Sequence, residues 1–151
     1  MAYQRILAAV DLSEESGQVL DRAREMADSH SAQLAVITVI KPLSQVYGGL
    51  SMAPLASASV SFEEQALDQA KLRLRELAGG YGVAAEHCHV PLGSPATEIQ
   101  ATARELGSDL IVIGTHGRQG LERLLGSTAN AVLHGVRRDV LAVRIDESGQ
   151  D

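Results

Sequence analysis

Apolar and polar positions divide the chain into short apolar runs that alternate with longer amphipathic stretches. Unbroken apolar runs at residues 5–10 and 34–40 predict two strands that are buried on both faces, as the strands of a parallel sheet are. Between them, residues 14–29 have apolar residues at helical spacing and predict an amphipathic helix. The inner face of this helix comprises Val19, Leu20, Ala23, Met26 and Ala27.

The same alternation continues to the end of the chain. A helix is predicted over residues 61–78, where Gly79 and Gly80 end it. Its inner face comprises Phe62, Ala66, Ala70, Leu74 and Leu77. A weaker, more polar strand at residues 84–92 is predicted near a sheet edge. The remaining elements are a helix over 95–106 with Ser94 as its cap, a strand over 109–114, a helix over 127–135 and a strand over 139–145.

Two segments lack any period. Residues 43–59 contain no charge, a Gly-Gly pair and a proline, and so long a connection without secondary structure is typical of a functional or disordered loop. We interpret it as a mobile flap. Residues 147–151 form a polar tail that is expected to fray. We therefore predict a single domain over residues 1–146, followed by this tail.

Strands that alternate with helices predict an α/β fold, in which an open, twisted, five-stranded parallel sheet carries helices on both faces. On such sheets, ligands bind at the carboxyl ends of the strands, near the point where the strand order reverses. Asp11 and the loops that begin at Gly93 and Gly114 follow predicted strand ends. We expect them to surround a single crevice.

Composition excludes several classes of function. The 151 residues suit one domain, and three tyrosines, one phenylalanine and no tryptophan leave an aliphatic core. The formal charge of −6 and the shortage of aromatic rings argue against nucleic-acid binding. No segment has the pattern of a secretion signal, and no apolar run approaches the roughly 18 residues of a membrane span. We predict a cytoplasmic protein without a membrane anchor.

The triplet His87-Cys88-His89 suggests a metal site at first sight. Cys88 is the only cysteine, so the chain has neither an internal disulfide nor a thiolate zinc cluster. In an extended strand the two histidines would point to one face and the cysteine to the other, so one ion could take at most two ligands here. We predict that no metal binds at this triplet.

The strongest chemical signal lies at residues 110–128, where an apolar strand leads into a glycine-rich loop and then a helix start. Glycines at positions 114, 117, 120 and 126 allow the backbone to approach a ligand and leave N–H groups available to an anion. Ser127 and Thr128 follow at the expected helix N-terminus, where hydroxyls, N–H groups and the helix dipole favour phosphate. The alternative is a tight strand-to-helix turn that holds no ligand.

Several of these segments together resemble the universal stress protein family. They are the opening RILAAVDLS, the LGSP at residues 92–95, Gly114-Thr115-His116-Gly117, Gly126-Ser127 and the closing DVLAVR. The resemblance implies a Rossmann-like sheet of the adenine nucleotide alpha hydrolase-like type, with strand order 3-2-1-4-5. Members that bind ATP or AMP carry Gly-x-x-Gly, nine residues and then Gly-Ser or Gly-Thr. Here residues 118–125, eight rather than nine, separate the two parts of the motif.

The resemblance implies an adenine-nucleotide site for ATP or AMP, with any Mg²⁺ held by the phosphates. Residues placed against the base, the ribose and the α-phosphate are Ala9, Val10, Asp11, Val39, Ile113 and Gly114. Residues placed around the phosphates are His116, Gly117, Arg118, Gly126, Ser127 and Thr128. A carboxylate at Asp11 suits the donor hydroxyls of a ribose, although this residue also suits a turn before the first helix. For Arg118, the alternative is a loop position in which its charge is solvated and contacts no ligand.

Taken with the resemblance, the leading hypothesis is a non-catalytic, adenine-nucleotide-binding regulatory protein of the stress response that acts as a dimeric switch. The chain lacks Gly-x-x-x-x-Gly-Lys-Ser/Thr and an evident carboxylate pair for Mg²⁺, so efficient hydrolysis is not predicted. One alternative is a slow ATPase or phosphotransferase that uses His116, and another is a dimeric interaction protein that binds no nucleotide. The predicted homodimer interface is the apolar edge strand at residues 139–145, and the protein partner is unknown.

Overall fold

The computed structural model describes residues 2–42, 56–115, 127–135 and 137–146, without the side chains of residues 56–60 and 127. Within these ranges the strands are β1 (Arg5–Ala9), β2 (Gln33–Ile37), β3 (Cys88–His89), β4 (Leu110–Gly114) and β5 (Asp139–Val143). The α-helices are α1 (Ser16–His30), α2 (Ala56–Gly79), α3 (Pro95–Leu106) and α4 (Ser127–Gly135), and a 3₁₀ turn at Ala85–His87 precedes β3.

The five strands form one parallel sheet in the order β3-β2-β1-β4-β5, which confirms the predicted fold class and strand order. The order reverses between β1 and β4, because the chain adds β2 and β3 on one side of β1 and then crosses to the other side. Ala9 of β1 is level with Ile37 of β2 and Ile113 of β4. The ends of these three strands therefore meet at one edge, which we call the carboxyl edge.

Side chains of the central strands alternate between two aliphatic cores. On one face, Ile6 and Ala8 of β1 pack in a cluster with residues of α1 and α2, including Leu20 and Leu74. On the other face, Leu7 of β1 lies in a second cluster with residues of α3 and α4. Burial on both faces explains why these strands are unbroken apolar runs in the sequence.

The start of α2 differs from the sequence-based prediction. The helix begins at Ala56 rather than near residue 61, so residues 56–59 of the predicted flap are helical and that part of the prediction was wrong. Alanine is the best helix former, and this stretch contains two alanines and no proline. The rest of the predicted flap, residues 43–55, lies outside the described residues.

The inner face of α2 was predicted correctly only in its second half. Ala70 and Leu74 are buried, whereas Phe62 is 63% exposed and Ala66 is also exposed, which contradicts their predicted inward position. The cause is length, since a helix of 24 residues spans about 36 Å while the five-residue strand β2 spans about 17 Å. The first half of α2 therefore extends beyond the sheet that its second half covers.

Three strands are at least two residues shorter than predicted. The predicted strand at 84–92 is reduced to Cys88–His89 by the 3₁₀ turn before it, although its position at the sheet edge is confirmed. β2 ends at Ile37 rather than residue 40, and only an isolated bridge between Ile40 and Leu92 continues its pairing with β3. β5 ends at Val143 rather than residue 145.

Candidate carboxyl-edge site

Asp11 follows β1 at the carboxyl edge, and its carboxylate is fixed by the turn that it forms. Its Oδ1 atom accepts hydrogen bonds from the backbone N–H of Ser13 at 3.0 Å and from the Ser16 hydroxyl at 3.3 Å. The predicted turn is thus confirmed as an Asx turn that leads into α1. The N-cap of α1 is Glu15, whose side chain makes no capping hydrogen bond.

The residue after Asp11 has an unusual backbone conformation. Leu12 has a φ of 61°, in the left-handed region that a leucine adopts at a cost of about 1 kcal/mol. Its carbonyl oxygen accepts a hydrogen bond of 2.9 Å from Nη2 of Arg73, which links the turn to α2. Strained backbone that the surrounding structure holds in place is common at ligand-binding sites.

Beyond the end of β2 at Ile37, the backbone groups of one residue, Val39, face away from β3 and toward the candidate site. Thr38 N–H donates to the His89 carbonyl oxygen and Ile40 N–H to the Pro91 carbonyl oxygen, each at 3.0 Å, so both residues face β3. Backbone groups alternate in direction along a strand, so those of Val39 face the opposite side, where β1 has already ended. Val39 is half-buried and packs against the α3 and α4 side of the sheet.

The small apolar residues of the predicted site face two different sides of the sheet. Ala9 and Ile113 belong to the cluster that packs with α3 and α4, on the same side as Val39. The side chain of Val10 is buried in the other cluster, with α1 and α2. A ligand over the α3 and α4 side could therefore touch the side chain of Ala9 but only the backbone of Val10.

Gly114, the last residue of β4, is in a crowded position. A Cβ atom at this residue would lie 3.2 Å from side-chain carbons of both Ile145 and Val19. The structure therefore explains the absence of a side chain here by packing beneath the loop, in addition to the close ligand approach that the sequence suggested. The next residue, Thr115, donates its N–H to the Val143 carbonyl oxygen at 2.9 Å.

The first turn of α4 is the part of the predicted phosphate site that the structure describes. Because α4 returns the chain from the end of β4 to the start of β5, its first turn lies toward the carboxyl edge. No acidic residue occupies that turn, and Thr128 is half-buried in it. Ser127 is the first helical residue. The other predicted phosphate-site residues, His116, Gly117, Arg118 and Gly126, lie outside the described residues.

The His-Cys-His triplet has a different geometry from the extended one assumed for the sequence. His87 belongs to the 3₁₀ turn, and its Nε2 lies 3.1 Å from Nε2 of Gln33. Burial raises the pKa of the Cys88 thiol and lowers the pKa of His89, so at neutral pH the sulfur stays protonated and His89 stays neutral. Within the described ranges, no group of three or more His, Cys, Asp or Glu residues could hold a metal ion.

Sequence reasoning missed several residues that shape this edge. Ser13 and Ser16 fix the Asp11 carboxylate, and the Asp-x-Ser spacing is a signal that could have identified Ser13. Thr115 was not included in the predicted site, yet its hydroxyl accepts a hydrogen bond of 3.2 Å from the Ile145 N–H. That contact joins residues 30 positions apart, so no local sequence pattern predicts it.

These features define a class of protein. The molecule is a doubly wound α/β protein whose strand order reverses between β1 and β4. A fixed carboxylate, the backbone of Val39 beyond the end of β2 and a helix N-terminus lie along the same edge. In this class, small ligands bind in the crevice at such a reversal. No helix in the described part of the chain is both long and apolar enough to cross a membrane.

Comparison with known proteins identifies the family. A family model described as the universal stress protein family matches residues 2–144, and the chain belongs to that family. Universal stress protein A homolog 1 of Coxiella burnetii is 43% identical over 147 residues, which cover 97% of this chain and all of the relative. Homolog 2 of the same bacterium is 40% identical, with 97% of this chain and 98% of the relative covered.

Solved structures show the same fold. A universal stress protein crystallised in complex with cAMP is 28% identical, with a TM-score of 0.60 over 95% of this chain and 98% of that one. The universal stress protein UspA from Lactobacillus plantarum has a TM-score of 0.70 over 95% of this chain and 99% of that one. At 24% identity, the second likeness concerns the fold alone.

Proposed function

We propose that this universal stress protein binds ATP or AMP at the carboxyl edge and acts as a non-catalytic, dimeric regulatory switch. The observation that carries the proposal is the Asp11 carboxylate, which the bonds from Ser13 and Ser16 fix at the end of β1, beside the reversal of strand order. A carboxylate accepts hydrogen bonds, and the two hydroxyls of a ribose are donors. A relative in complex with cAMP supports an adenine ligand.

The neighbouring groups suit the other parts of an adenine nucleotide. The backbone of Val39 faces the gap beyond β1, where its N–H and carbonyl can pair with the polar edge of adenine. The first turn of α4 contains no acidic side chain, so its N–H groups and the helix dipole favour phosphate. Gly117, Gly126 and the hydroxyls of Ser127 and Thr128 complete the proposed phosphate contacts, and any Mg²⁺ is held by the phosphates themselves.

The direct test is calorimetric titration with ATP and AMP, preceded by mass spectrometry of small molecules released from the purified protein. Gly126→Val places a branched side chain in the proposed phosphate cradle and is expected to weaken ATP binding at least about tenfold. Gly79→Val is the matched control, because a Cβ at Gly79 meets no atom within 4 Å and the residue ends α2, far along the chain from the site.

The outcomes of the titration separate the hypotheses. If the wild type binds ATP and Gly126→Val binds it equally well, the phosphate site lies elsewhere. If the wild type binds neither ATP nor AMP, the protein is instead a dimeric interaction protein in which the glycine-rich loop is structural only.

Hydrolysis of bound ATP is expected to be slow, with turnover no faster than about one event per minute. The chain lacks the lysine that clamps the transferring phosphate in P-loop enzymes, and the loss of one transition-state contact costs about 3 kcal/mol or more. A phosphate-release assay measures this directly. Several turnovers per second that His116→Ala abolishes would establish the alternative, an ATPase or phosphotransferase.

The proposed homodimer forms through β5, which the sheet order places at an edge. The carbonyl of Val143 accepts from Thr115 and so faces β4, and by strand alternation the N–H of Ala142 faces outward. Two copies of this edge that pair antiparallel about a two-fold axis would hide both edges. Within its own chain, Asp139 at the start of β5 accepts a hydrogen bond of 2.7 Å from the Tyr3 hydroxyl.

Ala142→Pro is expected to convert the dimer to a monomer, because proline removes an outward N–H while the ladder between β4 and β5 stays intact. Light scattering at micromolar concentration measures the mass, and circular dichroism confirms that the variant is folded. A folded variant that remains dimeric would place the interface on another surface.

A cytoplasmic location and the existence of a separate protein partner remain predictions.

A further inference from the structure

The chain does not continue along the sheet after β5 but crosses the carboxyl edge. β5 ends at Val143, and Ile145 is only 6% exposed because its side chain packs in the cluster of α1 and α2. The position it occupies is the one that a side chain at Gly114 would need, next to Val19. Residues 144–146 thus lie against the end of β4 at the carboxyl edge.

Two side chains hold this segment by hydrogen bonds to its backbone. The hydroxyl of Thr115 accepts from the Ile145 N–H at 3.2 Å, and the Thr115 N–H donates to the Val143 carbonyl oxygen at 2.9 Å. The amide of Gln18 bonds Asp146 twice, since its Nε2 donates to the Asp146 carbonyl oxygen and its Oε1 accepts from the Asp146 N–H, both at 2.9 Å. We call Thr115, Gln18 and residues 143–146 the C-terminal clamp.

The clamp connects the two halves of the proposed site. Thr115 directly follows β4 and is the first residue of the connection to α4, which contains the glycines proposed to contact phosphate. Gln18 lies in the first turn of α1, two residues after Ser16, whose hydroxyl bonds the Asp11 carboxylate. Through residues 143–146, the start of the phosphate loop is therefore tied to the same helical turn that fixes the proposed ribose ligand.

We infer that Thr115 is a positioning residue for the phosphates of the nucleotide, and that Gln18 supports it by holding the C-terminal segment in place. The inference rests on the proposed function. Thr115 acts through its hydroxyl, because that group fixes the strand end from which the loop departs. Loss of this neutral hydrogen bond is expected to lower ATP affinity about fivefold.

The experiment compares Thr115→Val, which keeps the shape but loses the hydroxyl, with Thr115→Ser, which keeps the hydroxyl. Calorimetry measures ATP affinity, competition measures adenosine affinity, and thermal unfolding shows that each variant is folded. Thr115→Val is expected to lower ATP affinity about fivefold and to leave adenosine affinity unchanged, whereas Thr115→Ser retains both. An effect on global structure alone would lower both affinities together.

Gln18→Ala tests the clamp without any change in the loop, and it keeps the inference testable if Thr115→Val fails to fold. Its expected effect is a similar, selective loss of ATP affinity. Gln33→Ala is the matched control, since Gln33 also bonds through its amide but lies at the start of β2, at the opposite edge of the sheet.

Three results are distinguishable. Selective loss of ATP affinity in Thr115→Val and Gln18→Ala, with Gln33→Ala unchanged, supports the inference. Wild-type ATP affinity in the folded variants, or an equal loss for adenosine, overturns the positioning role while the proposed nucleotide site stands. Absence of ATP binding in the wild type overturns the proposed function, and the inference falls with it.

Discussion

Leu74→Ala is expected to lower the free energy of unfolding by about 3 kcal/mol. Leu74 is fully buried in α2 and packs in the core between the sheet, α1 and α2, so the truncation removes apolar contacts and leaves a cavity. Urea denaturation measures this difference, and the slope of the unfolding free energy against urea concentration is expected to stay unchanged.

Leu72→Ala provides a matched control, because the same substitution two residues away in the same helix removes a side chain that is 63% exposed. Its expected effect is within about 0.5 kcal/mol of zero. Equal losses in both variants would contradict the orientation of α2 on the sheet. A small loss in both would mean that this half of the helix contributes little to the core.

Local signals predicted the later helices well. α3 extends over Pro95–Leu106 as predicted, because Ser94 at the N-cap position and proline at the first helical position are boundary signals carried by the sequence itself. Gly107 has a φ of 67°, the left-handed conformation that ends helices. α4 extends over Ser127–Gly135, also as predicted. Neither boundary depends on a distant part of the chain.

Features that depend on distant partners were predicted less well. Helical spacing alone placed Phe62 on the inner face of α2, yet a residue is buried only where the sheet reaches it. The strand at residues 84–92 failed for a related reason, since an edge strand pairs on one side only and residues 85–87 form a 3₁₀ turn instead of pairing with β2. Periodicity indicates the direction of a side chain but does not indicate what lies opposite.

The candidate site shows the same division. Asp11 was predicted from its position after an apolar run, and the structure places it at the carboxyl edge with its carboxylate fixed. Gly114 was also predicted there, but its crowding by Ile145 and Val19 was not. The fold of residues 144–146 over this edge follows from contacts with Gln18 and Thr115 that span many residues, so sequence patterns could not indicate it.

Asp11 has two roles in the proposed function, and substitutions can separate them. As an Asx-turn residue its Oδ1 accepts from Ser13 and Ser16, a task that the carbonyl oxygen of asparagine also performs. As a ribose ligand it contributes a charged acceptor, and a hydrogen bond to a charged group contributes about 2 kcal/mol, more than a neutral one.

Asp11→Ala, which removes both roles, is therefore expected to weaken ATP binding about thirtyfold and to lower stability by about 1 kcal/mol. Asp11→Asn should keep the stability and weaken ATP binding only about fivefold, because a neutral acceptor remains. Calorimetric titration and thermal unfolding give the two quantities for each variant.

Asp109→Ala is the control for the loss of a carboxylate that accepts hydrogen bonds from backbone N–H groups. Asp109 accepts from the N–H groups of Gln4 and Arg5 at the opposite edge of the sheet, at 2.9 and 3.0 Å. Its removal should lower stability by about 1 kcal/mol without changing ATP affinity. If Asp11→Ala also loses stability alone and binds ATP as tightly as the wild type does, then Asp11 only shapes the turn before α1, and another group must bind the ribose.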